Sequence, residues 1–181
     1  MAPHHVVDAQ LQELYGQIPA IPDCTGQCWT SCGPIGMSDR ERQRIRQAGI
    51  RVTPFQQAMA SLETYWCEAL TGDKRCAVYD LRPVVCRLWG AVEGMECVYG
   101  CVPEGGRWLS EMDGYRLIAE ADRIGGGYHQ FDDPARMDSA MARDVLRAEV
   151  ERIRKRGAAG ERNRMAHSVP AAFRRAGQKS D

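Results

Sequence analysis

The chain lacks any long apolar segment. None of its 181 residues belongs to a run approaching the ~20 apolar residues that a membrane-spanning helix needs. The N-terminus also lacks the apolar run and small-residue cleavage site of an export signal, and it reaches a charged residue at Asp8. These absences argue against a membrane protein and against a secreted one. We therefore expect a cytoplasmic protein with no membrane partner.

Familiar catalytic motifs are missing as well. The sequence contains no glycine-rich phosphate loop, no Gly-x-Ser-x-Gly nucleophile elbow and no paired-carboxylate signature. The sequence therefore predicts no catalytic residue, and whether the protein is an enzyme stays open.

Cysteine is absent after residue 101 but abundant before it, since all eight cysteines lie between residues 24 and 101. Thiols gathered in this way either pair as disulfides or bind a soft metal or a metal cluster. A reducing cytoplasm disfavours structural disulfides, so clustered cysteines there more often ligate metal or do redox chemistry. We therefore predict a cysteine-ligated centre, with six candidate ligands: Cys24, Cys28, Cys32, Cys67, Cys76 and Cys86.

The first three candidates are each four residues apart. Gly26, Gly33 and Pro34 lie around them, and these residue types favour a loop instead of a helix. We expect this loop to wrap round a centre. Three such cysteines do not complete a four-coordinate site, so a fourth ligand must come from the middle of the chain. The pair Cys97 and Cys101 is additional, and it could supply a replacement ligand, a second site or a redox pair.

Apolar periodicity and capping residues predict a mainly α fold: a small helical domain with an irregular, metal- or cluster-organised cysteine-rich centre. Ser38 with Glu41, and Ser110 with Asp113, have the spacing of helix N-terminal caps. The predicted helices span 8–16, 38–49, 54–66, 110–124 and 133–156. Residues 67–105 carry turn signals, with at most a short strand at 76–79, and we expect metal crosslinks to organise them.

Charge divides the chain into two parts. Residues 1–140 hold 13 basic and 19 acidic side chains, whereas residues 141–181 hold 11 and 5. We predict a cysteine-cluster domain over 1–132, with its motif core at 24–101, a C-terminal helix at 133–156 and a basic, disordered tail at 157–181. Such a tail can contact nucleic-acid phosphates, but a solvated helix end is the favoured interpretation.

The middle of the chain carries the sharper motif. Three short motifs follow one another: Cys67 with Leu70, Cys-x-Val-Tyr from Cys76, and Arg-Pro-x-x-Cys-Arg ending at Arg87. This order resembles the YkgJ-like cysteine-cluster family, described as a zinc- or iron-chelating domain. The first half of the family's motif, Cys-x-x-Cys-x-x-Cys-Cys, is not reproduced. This chain has three-residue gaps between its first cysteines, and Gly33 stands in place of the last cysteine.

The resemblance implies metal binding and leaves the metal open. Scattered ligands and three tryptophans beside the cysteines favour a [4Fe–4S] cluster, with zinc as the alternative. The predicted function is a cysteine-ligated metal-binding protein whose cluster is a structural or redox centre of a binding module or accessory subunit with a protein partner. The alternatives are a zinc-binding structural or interaction protein, a redox protein accessory to a methyl-transferring partner, and metal storage or delivery.

Overall fold

The architecture comes from a computed structural model of the chain, which describes residues 2–24, 26, 29, 32–61, 65–97 and 99–127. The α-helices in these residues are α1 His4–Tyr15, α2 Asp39–Gln47, α3 Phe55–Ala60, α4 Val84–Leu88 and α5 Glu111–Gly125. Short 3-10 helices span Tyr79–Leu81 and Glu104–Gly106. No β-strand forms within the described residues, where bridges join only Leu70 to Cys76 and Val92 to Leu109. The prediction of a small, mainly helical protein is confirmed.

Two predicted segments, the helix at 133–156 and the tail at 157–181, lie outside the described residues, as does the predicted domain boundary at 132. The predicted division of the chain therefore stays a prediction. In the described part, every helix is too short or too polar to cross a bilayer.

Both predicted N-terminal caps are present. The Ser38 side chain accepts a hydrogen bond from the backbone N–H of Glu41, whose own carboxylate completes the capping box. At α5, the Ser110 side chain accepts from the N–H of Asp113. Each cap satisfies an N–H group that would otherwise have no partner at the helix start, so these boundaries follow from residues three positions apart.

Other boundaries differ from the prediction. Helix α1 begins at His4 instead of residue 8, because the N–H groups of Val6 and Val7 both bond to the carbonyl of Pro3. Helix α3 ends at Ala60, well before Trp66, whose ring packs against Trp29. No strand forms at 76–79 among the described residues, since Cys76 makes a single bridge and a 3-10 helix begins at Tyr79.

The larger hydrophobic core lies between α1, α4 and α5. Its fully buried side chains include Leu11, Leu88, Val92 and Tyr115, each 0 % exposed. Val84 and Leu88 are four residues apart on α4 and therefore both point into this core. The helical part of the protein thus has an apolar interior that does not depend on the cysteines.

A smaller core lies on the cysteine side of the molecule. Its buried members are Ile45, Val52, Ala69 and Val78, with Cys67 and Cys76 partly buried against them. This small core packs the segments that carry two predicted ligands against the end of α2.

The buried carboxylate of Glu41 joins the two sides. One carboxylate oxygen accepts hydrogen bonds from the hydroxyl of Tyr15 and from the N–H of Val84, both at 2.8 Å. The other oxygen accepts from the N–H and hydroxyl of Ser38, both at 2.9 Å. Burial and the neighbouring Glu41 raise the pKa of Tyr15, so this hydroxyl stays a donor. One side chain therefore fixes the relative positions of α1, α2 and α4.

Candidate metal centre

A cleft of about 410 Å³ opens on the cysteine side of the protein. Five of the six predicted ligands contribute to its walls: Cys24, Cys32, Cys67, Cys76 and Cys86. The sixth, Cys28, lies outside the described residues, and neither Cys97 nor Cys101 lines the cleft. The fold thus brings thiols from three separate segments to one space, and their role as ligands stays a prediction.

Helix α4 positions Cys86. Pro83 precedes its first residue, which suits proline because this position needs no N–H donor. The N–H of Val84 donates to Glu41, and Val84 and Leu88 anchor one face of α4 in the larger core. Cys86 lies between them in sequence and lines the cleft.

A tight turn places Cys76 close to the strand-like segment after Cys67. The N–H of Thr71 donates to the carbonyl of Arg75 at 2.9 Å, and Leu70 and Cys76 form a bridge. Lys74 has a φ of 66°, an uncommon conformation for a residue with a side chain. This turn also brings the side chain of Lys74 to the cleft.

Stacked aromatic rings bring the first cysteine loop to Cys67. The rings of Trp29 and Trp66 lie 5.9 Å apart, and Trp66 directly precedes Cys67. The N–H of Cys32 donates to the carbonyl of Trp29 at 3.0 Å, which folds the loop back on itself. Cys32 is thereby placed on the same side as Cys67.

Three other thiols of the cleft affect Cys86 electrostatically. Burial raises the pKa of the Cys86 thiol, and the nearby sulfurs of Cys67, Cys32 and Cys76 raise it further, whereas Arg82 lowers it. Thiols whose charges interact in this way become thiolates together only if a cation compensates them. Cys24 lines the same cleft.

The thiols share the cleft without closing round a single ion. Among the described residues, no three His, Cys, Asp or Glu side chains stand at the spacing of metal ligands. None of the seven described cysteines is in a disulfide. Their sulfur atoms are therefore not used in S–S bonds and keep their capacity to bind a metal.

The two arginines of the Arg-Pro-x-x-Cys-Arg motif have different surroundings. Arg87 is half-buried, its guanidinium lies 4.3 Å from the centre of the Tyr15 ring, and its Nε donates to the carbonyl of Arg82. Arg82 lines the cleft, 3.6 Å from the Tyr79 ring, and its Nε donates to the Tyr79 carbonyl at 3.0 Å. Arg87 thus supports the fold, whereas Arg82 presents charge to the thiols.

The chemistry of the walls fits a thiolate-bound metal. Soft thiolates suit zinc and iron–sulfur clusters. In the described part of the chain, the Nε1 of Trp89 is buried without a hydrogen-bond partner, and Trp89 lines the cleft. An indole N–H of this kind can donate to sulfur. Sequence reasoning identified Trp89 but missed Lys74, because only the turn at 71–75 brings that residue to the cleft.

Cys97 and Cys101 lie beside the start of the first loop. The thiol of Cys101 donates to the carbonyl of Asp23 at 3.4 Å. A side chain at Gly90 would come within 3.6 Å of the Cβ of Cys97 and collide with Ile21 at 2.7 Å. Cys101 therefore contacts the segment that leads into Cys24, and Cys97 lies next to Gly90; neither lines the cleft.

Comparison with known families gives one match. Residues 23–103 match the model of the CxxCxxCC family, described as "Putative zinc- or iron-chelating domain". The matched range contains all eight cysteines, and the resemblance read from the sequence is confirmed. No curated protein and no solved structure matches the chain.

Proposed function

Because residues 23–103 match a family described as a zinc- or iron-chelating domain, we propose that this chain binds a metal through four thiolates: Cys32, Cys67, Cys76 and Cys86. The observation that carries this assignment is the single cleft that these four thiols line together, with Cys86 buried among the other three. Four thiolates are the donor set of structural zinc sites and of [4Fe–4S] clusters alike. In this proposal Cys24 lies at the edge of the centre, and Cys97 and Cys101 belong to its supporting segment.

We further propose that the bound group is a [4Fe–4S] cluster. The cleft of about 410 Å³ offers far more room than one ion requires. Its walls carry Trp29, and they carry Trp89 with an indole N–H that has no partner among the described residues. Aromatic walls exclude water, and hydrogen bonds to sulfur tune such clusters. When bound, a cluster of this type supplies one-electron transfer.

The proposed role of the centre is first of all structural. Between α3 and α4, the described residues contain turns and the 3-10 helix Tyr79–Leu81 but no α-helix. Among the described residues, the small core beside them has four buried members. Metal binding to Cys32, Cys67 and Cys76 would therefore stabilise a region that its own packing holds weakly. Binding to a protein partner through residues 133–156 is a further proposal, from sequence alone.

Anaerobic spectroscopy and metal analysis test the identity of the centre. Protein purified without oxygen should be brown, absorb broadly near ~400 nm and contain iron and acid-labile sulfide. Colourless protein with stoichiometric zinc would overturn the cluster and leave the four thiolate ligands in place. Protein that holds neither metal, with all thiols reactive, would overturn the metal centre itself.

A redox role can be separated from a structural one with the same sample. Dithionite should bleach a redox-active cluster, and air or a mild oxidant should restore the colour. If the spectrum does not change under dithionite while chelation unfolds the protein, the centre is structural. Either result leaves the ligand assignment to be judged from the metal content of the cysteine variants.

A further inference from the structure

Two buried indole N–H groups have no hydrogen-bond partner in the described part of the chain. They belong to Trp89 and Trp108. A buried donor of this kind costs free energy unless an acceptor meets it. Trp89 lines the cleft that the four proposed ligands share, whereas Trp108 does not. Of the two, it is therefore Trp89 that stands where a bound group can supply the missing acceptor.

Helix α4 sets Trp89 over Cys86. Trp89 directly follows the last residue of α4, and its φ of −63° continues the helix. Helical side chains lean over the turn that precedes them, and residues three positions apart lie on one face. Cys86 precedes Trp89 by three positions, and both residues line the cleft. The thiol of Cys86 therefore lies on the turn that the indole of Trp89 covers.

Packing on both sides fixes the position of Trp89. Its ring packs against the larger hydrophobic core. The next residue, Gly90, has a φ of 88°, and its N–H donates to the carbonyl of Met95 at 2.7 Å. A side chain at Gly90 would collide with Ile21 at 2.7 Å. The indole is thus held in place by the fold before any metal binds, as a precise contact to a ligand requires.

Metal binding changes what the Cys86 sulfur can accept. Cysteine binds a metal as the thiolate. A neutral thiol is a weak hydrogen-bond acceptor, whereas an ionised acceptor forms shorter and stronger hydrogen bonds. Loading the centre therefore places a strong acceptor beside a buried donor that otherwise has none.

We propose that the indole N–H of Trp89 donates a hydrogen bond to the metal-bound sulfur of Cys86. This assignment rests on the proposed four-thiolate centre. It makes Trp89 a positioning residue, which holds the Cys86 sulfur in place and strengthens metal binding. The same bond forms with zinc and with an iron–sulfur cluster, because in both cases the acceptor is the cysteine sulfur.

Nuclear magnetic resonance of the full-length protein, loaded with the magnetic isotope of cadmium, tests this contact. Cadmium is a soft metal that suits thiolate ligands, and its nuclear spin couples to a proton that is hydrogen-bonded to a ligand sulfur. Loading should move the Trp89 indole proton downfield and split its signal. A through-space contact with the β protons of Cys86 should identify the acceptor. The indole proton of Trp108 should neither move nor split.

Trp89→Phe measures the strength of the bond, with Trp108→Phe as the matched control. Each variant removes one buried indole N–H that lacks a partner within the described residues. Trp89→Phe should weaken metal binding by roughly tenfold or more, which is typical when a hydrogen bond to a ligand is lost. Trp108→Phe should leave the affinity unchanged. Competition with a coloured chelator measures both. Equal losses in the two variants would overturn the assignment, because packing alone would then explain them.

The spectrum of the unaltered protein decides the matter even if Trp89→Phe is insoluble. An unsplit Trp89 signal in cadmium-loaded protein would overturn the hydrogen bond and leave the metal centre in place, since ultraviolet cadmium–thiolate absorption reports on the centre separately. A split signal with a through-space contact to a different cysteine would overturn Cys86 as the acceptor. Absence of cadmium–thiolate absorption would overturn the four-thiolate centre and this inference together.

Discussion

The buried carboxylate of Glu41 illustrates how much one residue can determine. It is 1 % exposed and accepts hydrogen bonds from Tyr15, Ser38 and Val84. The sequence identifies Glu41 as the partner of Ser38 in a capping box, because the two are three positions apart. Its contacts with Tyr15 and Val84 span 26 and 43 residues. No local pattern contains that information.

We expect Glu41→Gln to lower the free energy of unfolding by about 1–3 kcal/mol. The amide nitrogen would replace an acceptor oxygen and face a donor, which leaves a buried polar group unsatisfied. Urea denaturation measures the loss. Glu13→Gln, on an exposed position of α1, should change stability by less than about 0.5 kcal/mol. Equal losses in both variants would contradict a special role for Glu41.

The cysteines should not be equivalent. We expect Cys86→Ser and Cys76→Ser to lose the metal and to abolish soluble expression, because each removes one of the four proposed thiolate ligands. Cys97→Ser should keep the metal, since Cys97 does not line the cleft. The soluble yield of each variant, together with the iron, sulfide and zinc content of the protein that stays soluble, measures the difference. Equal tolerance of all three substitutions would argue against the ligand assignment.

At the scale of the elements, an ion pair joins α1 to α2. Asp8 accepts a hydrogen bond from the Nε of Arg40 at 2.8 Å and lies 3.8 Å from the Nε of Arg44. The hydrogen bond from Arg40 lowers the pKa of Asp8. Because the folded-state pKa is depressed, the resulting stability is present above the unfolded-state pKa of about 3.9 and is lost as the pH falls through the folded-state value.

When the pH is lowered from about 5 to 3, the unaltered protein should therefore lose more of its free energy of unfolding than the Asp8→Asn variant does. At pH 7 the variant should be the less stable of the two. Thermal unfolding at pH 7, 5, 4 and 3 measures both effects. A variant with the same pH dependence as the unaltered chain would show that the Asp8–Arg40 pair adds nothing to stability.

The elements also show what a sequence can predict. The starts of α2 and α5 were predicted correctly because Ser38 and Ser110 act on neighbours three residues away. Helix α4 was not predicted, since its five residues are too few for an apolar period. The predicted end of α3 was wrong, because Trp66 packs against Trp29 in a distant loop.

At the scale of the whole molecule, two cores of unequal size predict unequal dependence on metal. The larger core joins α1, α4 and α5, whereas the small core beside the cysteines has four buried members in the part of the chain that the structure describes. We expect chelation to speed amide hydrogen exchange at Ala77, whose N–H bonds to Ala69 at 2.8 Å. The amides of α5 should keep most of their protection. Loss of protection at Ala77 and in α5 together would contradict an unequal dependence of the two cores on metal.

The candidate site was predictable in its chemistry but not in its surroundings. Thiols at the observed spacing indicate a metal ligand set without any structure. The presence of Lys74 in the walls was not predictable, because this residue reaches the cleft only through a left-handed turn and a contact with Trp29. The position of Cys101 outside the cleft depends in the same way on a distant contact, the hydrogen bond from its thiol to the carbonyl of Asp23.

The tryptophans at the cleft give the protein an internal optical reporter. Trp29 and Trp89 line the cleft, and Trp66 stacks on Trp29, so three of the four indoles lie at or next to it. An iron–sulfur centre there would absorb the light that these indoles emit, whereas zinc is transparent. Native fluorescence should therefore brighten as iron leaves, because the absorbing centre is lost, whereas the loss of zinc removes no absorber from an unlabelled sample.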